Sequence, residues 1–117
     1  MTPLLLSAYT ATTCLGRGLD AMREALRTGR SGLVPCAFET VQLDTWMGEV
    51  AAVDAEKLPN SLAEYDCRNN RLTQMGLETD GFADRAREAI ARYGKTRVGV
   101  FLGTSTAGIL QTELAYR

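Results

Sequence analysis

The chain has 117 residues, 45% hydrophobic and 23% charged, the proportions of an ordinary globular domain rather than of a disordered or fibrous chain. Thirteen basic and 14 acidic residues leave a formal net charge of -1, so no whole-chain field draws it to nucleic acid or to an anionic membrane. One modest core is all that this length can bury, and a large α/β architecture with two faces to cover needs more sequence than this.

The longest apolar runs, residues 4–6 and 98–102, are much too short to cross a bilayer. The start, Met1-Thr2-Pro3-Leu4, lacks the basic region and small-residue cleavage site of a secretory leader. A cytoplasmic chain with neither membrane nor nucleic acid as partner is expected.

Taken in chain order, residues 3–9 form a short apolar run followed by a Thr-rich, Gly-containing stretch, the pattern of a buried strand leading into a loop. Residues 20–28 place Ala21, Met22, Ala25 and Leu26 on one helical face and Arg23, Glu24 and Arg27 on the other, with Gly29 at the expected stop. Residues 30–46, with Gly32, Pro35 and Trp46, read as a packed connection containing little regular structure. Residues 47–53 read as a strand. From 67 to 93, Leu72, Met75, Phe82, Ala86, Ile90 and Tyr93 recur at steps of three, four and seven, which predicts one long amphipathic helix that Asp66 could cap. Gly76 and Gly81 within it each cost about 1 kcal/mol relative to alanine, so the pattern calls for a break between them or for close packing that admits no Cβ. Residues 97–103 then form an apolar run without polar alternation, as a strand covered on both faces does. A loop over residues 104–108 leads into a final helical pattern from Ile109.

Few of these residues promise chemistry of their own. There is no histidine, so neither a Cys-His nor a Ser-His-Asp arrangement can be assembled from this chain. Cys14, Cys36 and Cys67 lie far apart without a CxxC pair, which argues against a metal site and fits small apolar side chains kept reduced. No cofactor or metal is expected, and no catalytic residue is assigned. Gly103-Thr104-Ser105-Thr106-Ala107-Gly108 sits where a buried strand gives way to a helix, the usual ligand position of open α/β sheets. Its small residues allow close backbone approach, but Ile109 follows instead of Gly-Lys-Ser/Thr, so it is not a nucleotide-triphosphate loop; a binding loop and a tight packed turn both remain open. Asp66, Arg68 and Arg71 are explained by a solvated helix end as well as by a ligand. Trp46 reads as core or interface filling.

Four segments in series resemble the β-ketoacyl-acyl-carrier-protein synthases. Thr-Ala-Thr-Thr-Cys-Leu-Gly after the first strand is similar to the loop that opens those enzymes, and Ala-Met-Arg-Glu-Ala-Leu-Arg-Thr-Gly-Arg-Ser-Gly at 21–32 to the helix that follows. Arg-Leu-Thr-Gln-Met-Gly at 71–76 looks like the start of the family's long helix, and residues 97–108 resemble its glycine-rich strand and loop. The resemblance implies the amino-terminal part of a thiolase-like α/β fold, β-α-β-α-β-α with a mixed sheet and covering helices, incomplete over residues 1–117. It implies decarboxylative Claisen condensation of acyl and malonyl thioesters held on acyl-carrier protein, within a homodimer or heterodimer of synthase subunits. The family's catalytic cysteine and histidines match no position here, so the chain alone is expected to be inactive. Thr106 matches an acyl-pocket position that sets chain length, with Gly103, Thr104, Ala107 and Gly108 as its loop wall. Two alternatives stand beside this: a non-catalytic partner subunit of the chain-length-factor type, and a stand-alone anion- or nucleotide-binding α/β module.

Overall fold

The computed structural model describes residues 3–38 and 41–117; Met1, Thr2 and, inside the expected connection, Glu39 and Thr40 lie outside the described residues. The chain is mixed α/β. Its elements are β1 (Thr12–Thr13), β2 (Gly16–Arg17), α1 (Leu19–Thr28), β3 (Leu33–Pro35), β4 (Trp46–Gly48), α2 (Arg68–Leu77), α3 (Phe82–Tyr93) and α4 (Ile109–Ala115). Short 3-10 segments occupy Asn60–Tyr65, Thr79–Gly81 and Lys95–Arg97. Among the described residues the sheet structure is two separate antiparallel hairpins, β1 with β2 and β3 with β4.

Helix α1 follows its sequence pattern. Ala25 is buried, Gly29 ends the helix in the left-handed conformation, and the outer face carries the pairs Arg23–Asp20 and Arg27–Glu24, each at 2.7 Å. Exposed pairs of this kind add little stability but keep that face in water. Its amino terminus is capped from elsewhere. Gly18 has no side chain to offer, and the backbone N–H of Leu19 donates instead to Asp80 Oδ2 at 3.0 Å, as does Thr10 Oγ1 at 3.0 Å. Arg17 Nε donates to Thr79 Oγ1 at 3.0 Å, and Thr79 Oγ1 donates to the carbonyl of Met75 at 2.6 Å. Met75 and Thr79 are both buried. Gly18, at φ +92, makes this junction possible, since a Cβ there would stand 2.9 Å from Asp80 Oδ1.

Cys14 is the second point of contact, where the β3–β4 hairpin rests on the β1–β2 turn. A Cβ on Gly32 would lie 2.4 Å from the Cys14 carbonyl oxygen, and one on Gly48 would lie 2.9 Å from its Sγ. The hairpin pairs Leu33 with Gly48, Val34 with Met47 and Pro35 with Trp46, a register that sets Gly48 beside the start of β3. Proline is tolerated because a two-stranded ribbon consists only of edges.

The remaining expectations divide. The helix expected from 67 to 93 is broken: Asp80 at φ +55 and Gly81 at φ +68 place two successive residues in the left-handed region, which no α-helix continues through. Gly76, by contrast, stays inside α2 in open space, so packing is not what selects it. The stretch 30–46 holds β3 and the first residue of β4, and the strand expected over 47–53 reaches only Gly48. Trp46 is 64% exposed and is no part of the core. The runs 3–9 and 98–102 are not strands, because neither is paired. Leu4, Leu5 and Leu6 and, in the second run, Val100, Phe101 and Leu102 are all exposed, Leu4 at 99% and Phe101 at 97%. Among the described residues no helix is long and apolar enough to cross a membrane.

The glycines separate these effects. Gly76→Ala is expected to raise stability by about 0.5–1 kcal/mol, the helix-interior difference between the two residues. Gly32→Ala and Gly18→Ala are expected to lower it by more than about 2 kcal/mol each, since the first collides with the Cys14 backbone and the second puts a side chain at φ +92 while displacing the Asp80 carboxylate. Thermal unfolding followed by circular dichroism orders the three; no difference in midpoint between Gly76→Ala and Gly32→Ala contradicts the packing described.

Candidate functional site

The loop singled out by sequence follows α3 directly. Gly94 stops that helix, Arg97 N–H donates to the Gly94 carbonyl at 3.0 Å, and Val98 turns to extended backbone at φ -110 and ψ 117. After the exposed run, Thr106 at φ +49 and Gly108 at φ +73 take left-handed conformations that swing the chain into α4. For Gly108 this is free of strain; a threonine in that region is uncommon and costs energy. The first turn of α4 closes locally, with Thr112 Oγ1 donating to the Gly108 carbonyl at 3.2 Å.

Gly103, Thr104, Thr106 and Ala107 are exposed, and Gly108 is half-buried. Of the five, Gly108 reaches a cavity: a space of about 300 Å³ walled by Phe38, Cys67, Leu72, Gly108, Ile109 and Leu110. That cavity brings the amino-terminal ends of α2 and α4 together over a mostly apolar lining. Among the described residues no side-chain hydrogen bond involves Thr104, Ser105 or Thr106, so the loop gathers no polar cluster around itself.

Sequence also drew attention to Asp66, Arg68 and Arg71, and here the structure assigns each a partner. Arg71 grips Asp66 with two bonds, Nε to Oδ1 at 2.6 Å and Nη2 to Oδ2 at 2.8 Å. Arg68 Nε donates to Asp54 Oδ1 at 2.9 Å, and its Nη2 reaches the second oxygen. Lys57 Nζ lies 3.7 Å from Asp66 Oδ2. Asp66 therefore does not cap α2; Cys67 occupies the cap position without a side-chain bond, because the Asp66 carboxylate is already committed to the guanidinium of Arg71. Two planar, two-pronged pairs fasten the segment ahead of α2 to that helix, which is a structural task.

The hydrogen bonds from Arg71 hold the Asp66 carboxyl below the usual carboxylate range, against the opposing pull of desolvation, and those from Arg68 do the same for Asp54. Thr79, Asp80 and Arg17, which join the two halves of the chain, were not expected from sequence. The one available signal was the Asp80-Gly81 dipeptide, a turn marker inside an otherwise helical pattern. Cys14, Cys36 and Cys67 are free and half-buried, and among the described residues no three His, Cys, Asp or Glu side chains cluster as a metal site requires.

Comparison with protein-family models, with curated proteins and with solved structures returns no match.

Because the folded-state values of Asp54 and Asp66 are depressed, their contribution to stability is present above the ordinary carboxylate value of about 4 and is lost as pH falls below it. The urea midpoint is expected to decline from pH 5 toward pH 2. Arg71→Gln should flatten part of that decline, and an unaltered acid profile in the variant would show that the Asp66 pair is not linked to folding.

Proposed function

We propose that this chain is the amino-terminal segment of a β-ketoacyl-acyl-carrier-protein synthase, a thiolase-like condensing enzyme in which the residues shown here are scaffold and one wall of the acyl pocket. The observation that carries the reading is the exposure of residues 4–6 and 99–102. Both runs have the composition of strands buried on both faces, and both lie bare against solvent. A composition of that kind fits a sheet to which further polypeptide contributes. The four family-like segments, in family order, support a thiolase-like sheet as the one they would join.

In that enzyme an acyl group passes from its carrier-protein thioester to a cysteine sulfur. The malonyl thioester then loses carbon dioxide, and the resulting enolate carbon attacks the acyl-cysteine carbonyl, expelling the thiolate and leaving a β-ketoacyl thioester on the carrier. The nucleophile and the histidines that assist decarboxylation match no residue of this chain. Its contribution is shape. The left-handed turn at Thr106 and Gly108 brings Gly108 to the edge of an apolar cavity, and it is the family resemblance that assigns residues 103–108 to the pocket wall. The complete enzyme is a cytoplasmic dimer of synthase subunits served by acyl-carrier protein.

The reading frame that contains this chain is expected to encode, downstream, a cysteine in a small-residue strand-to-helix turn followed by two histidines. A frame with the same fold but without the cysteine would make the protein a non-catalytic partner subunit, and a frame with neither would remove the family. In the complete enzyme Thr106→Phe is expected to shift the products toward shorter acyl chains, read by mass spectrometry of the carrier-bound thioesters. An unchanged product distribution takes Thr106 out of the pocket.

A further inference from the structure

We propose that Asp80 and Gly81 form a self-modification site, at which the Asp80 carboxyl closes onto the Gly81 nitrogen and reopens as isoaspartate. The gate on this reaction is the pair of hydrogen bonds by which Asp80 clasps Thr10 and the start of α1. Asp80-Gly81 is the one Asp-Gly or Asn-Gly dipeptide in the chain; each of the other five aspartates and all three asparagines precede a residue with a side chain. Glycine matters because the attacking group is the next residue's backbone nitrogen, and a Cβ beside that nitrogen obstructs its approach. Both residues are exposed, and a Cβ built on Gly81 would meet nothing within 4 Å, so the corner is open to water and has room to rearrange.

Water is the only co-reactant that the chemistry needs. The Gly81 nitrogen bonds to Asp80 Cγ, the hydroxyl of the protonated carboxyl leaves with the proton of that nitrogen as water, and a five-membered succinimide results. Water then adds to one of its two carbonyls. Opening at Cγ restores aspartate. Opening at the former backbone carbonyl leaves the chain running through Cβ and Cγ, one backbone atom longer, with the carboxylate attached directly to Cα.

Ring closure requires the Gly81 nitrogen to come round beside Cγ, eclipsing Cβ about the Asp80 Cα–C bond. At ψ 20 that nitrogen stands on the far side of the bond from Cβ. The carboxylate is also held elsewhere, with Oδ2 3.0 Å from Thr10 Oγ1 and 3.0 Å from the Leu19 nitrogen. Asp80 at φ +55 is in a region that a residue with a Cβ seldom occupies, and such a conformation persists where its surroundings impose it. A closed clasp therefore excludes the reaction and an open one admits it. The product does not close again: the succinimide has no carboxylate, and that of isoaspartate is displaced from the place where Thr10 and Leu19 meet it. Helix α1, whose cap position is Gly18, then has no side-chain acceptor at its amino terminus. A local opening is converted into permanent loss of the clasp. The inference uses this corner alone and is independent of the condensing-enzyme reading, so either can fail without the other.

The test uses the whole chain, incubated at neutral pH in ¹⁸O-water. Peptide mapping with electron-transfer fragmentation distinguishes isoaspartate from aspartate, and ¹⁸O uptake counts every passage through the succinimide. Isoaspartate is expected at residue 80 ahead of every other aspartate. Thr10→Val removes one clasp donor and Leu19→Pro the other, the latter at a first helical position that tolerates proline. Each should speed conversion about fivefold, the change in open population that one capping bond makes, while Thr10→Ser, which keeps the hydroxyl, converts at the wild-type rate. Circular dichroism confirms that each variant is folded, and the urea-unfolded wild type sets the fastest rate. In the purified isoaspartate form the Leu19 amide should lose its protection from hydrogen exchange. Equal rates in wild type and both clasp variants, folded wild type converting as fast as the unfolded chain, another aspartate converting first, or an unchanged Leu19 amide in the isoaspartate form overturns the proposal.

Discussion

One carboxylate joins the halves of this molecule. Asp80 sits at a left-handed corner between α2 and α3 and accepts hydrogen bonds from Thr10 and from the first N–H of α1, more than 60 residues earlier in the chain. A helix whose cap position is Gly18 has no means of satisfying its own amino terminus, so its cap is borrowed. A cap of this type is worth about 1 kcal/mol by itself. Its larger effect is topological, because the same corner carries Thr79, which is bonded by Arg17 and in turn bonds the carbonyl of buried Met75. Removing the Asp80 carboxylate would leave α1 uncapped and loosen the junction between Thr10, the start of α1 and the α2–α3 corner.

The arrangement accounts for what sequence could and could not show. Helix α1 was legible because an amphipathic face and a terminal glycine are local properties, written within ten residues. The helical period over residues 67–93 was equally legible, and both α2 and α3 lie within it. The break between them was one of the two outcomes that Gly76 and Gly81 allowed, and it falls at Asp80 and Gly81; what nothing local to residues 76–82 specifies is the junction that Asp80 makes there with Thr10 and Leu19, partners more than 60 residues away. A strand is less local still: residues 98–102 have every side chain a strand wants, yet strand structure exists only where another backbone supplies the ladder. The β3–β4 hairpin shows the converse, forming with a proline and an exposed tryptophan because two short edges could reach each other across the glycines that embrace Cys14.

The candidate site was legible to a similar degree. The small-residue loop at 103–108 does turn an extended run into a helix, through left-handed Thr106 and Gly108. The apolar cavity beside it was not foreseen, since Phe38, Cys67 and Leu72 come from segments that sequence could not bring together with Ile109. Asp66, Arg68 and Arg71 drew attention because charge at a helix start invites a ligand, but two-pronged pairing with nearby carboxylates uses that charge internally. Residues 4–6 and 100–102 are among the most exposed apolar side chains, which is why the functional reading rests on two uncovered apolar runs rather than on a reactive group.

Among the described residues a clasped helical unit is folded while the two apolar runs have no backbone partner. Amide hydrogen exchange on the chain at a dilution where it is monomeric tests this most directly. Slow exchange over α1 and α2 with exchange at the free-chain rate over residues 4–9 and 98–102 is the predicted result; protected amides in either run of the dilute monomer, or unprotected amides throughout α1, would contradict it.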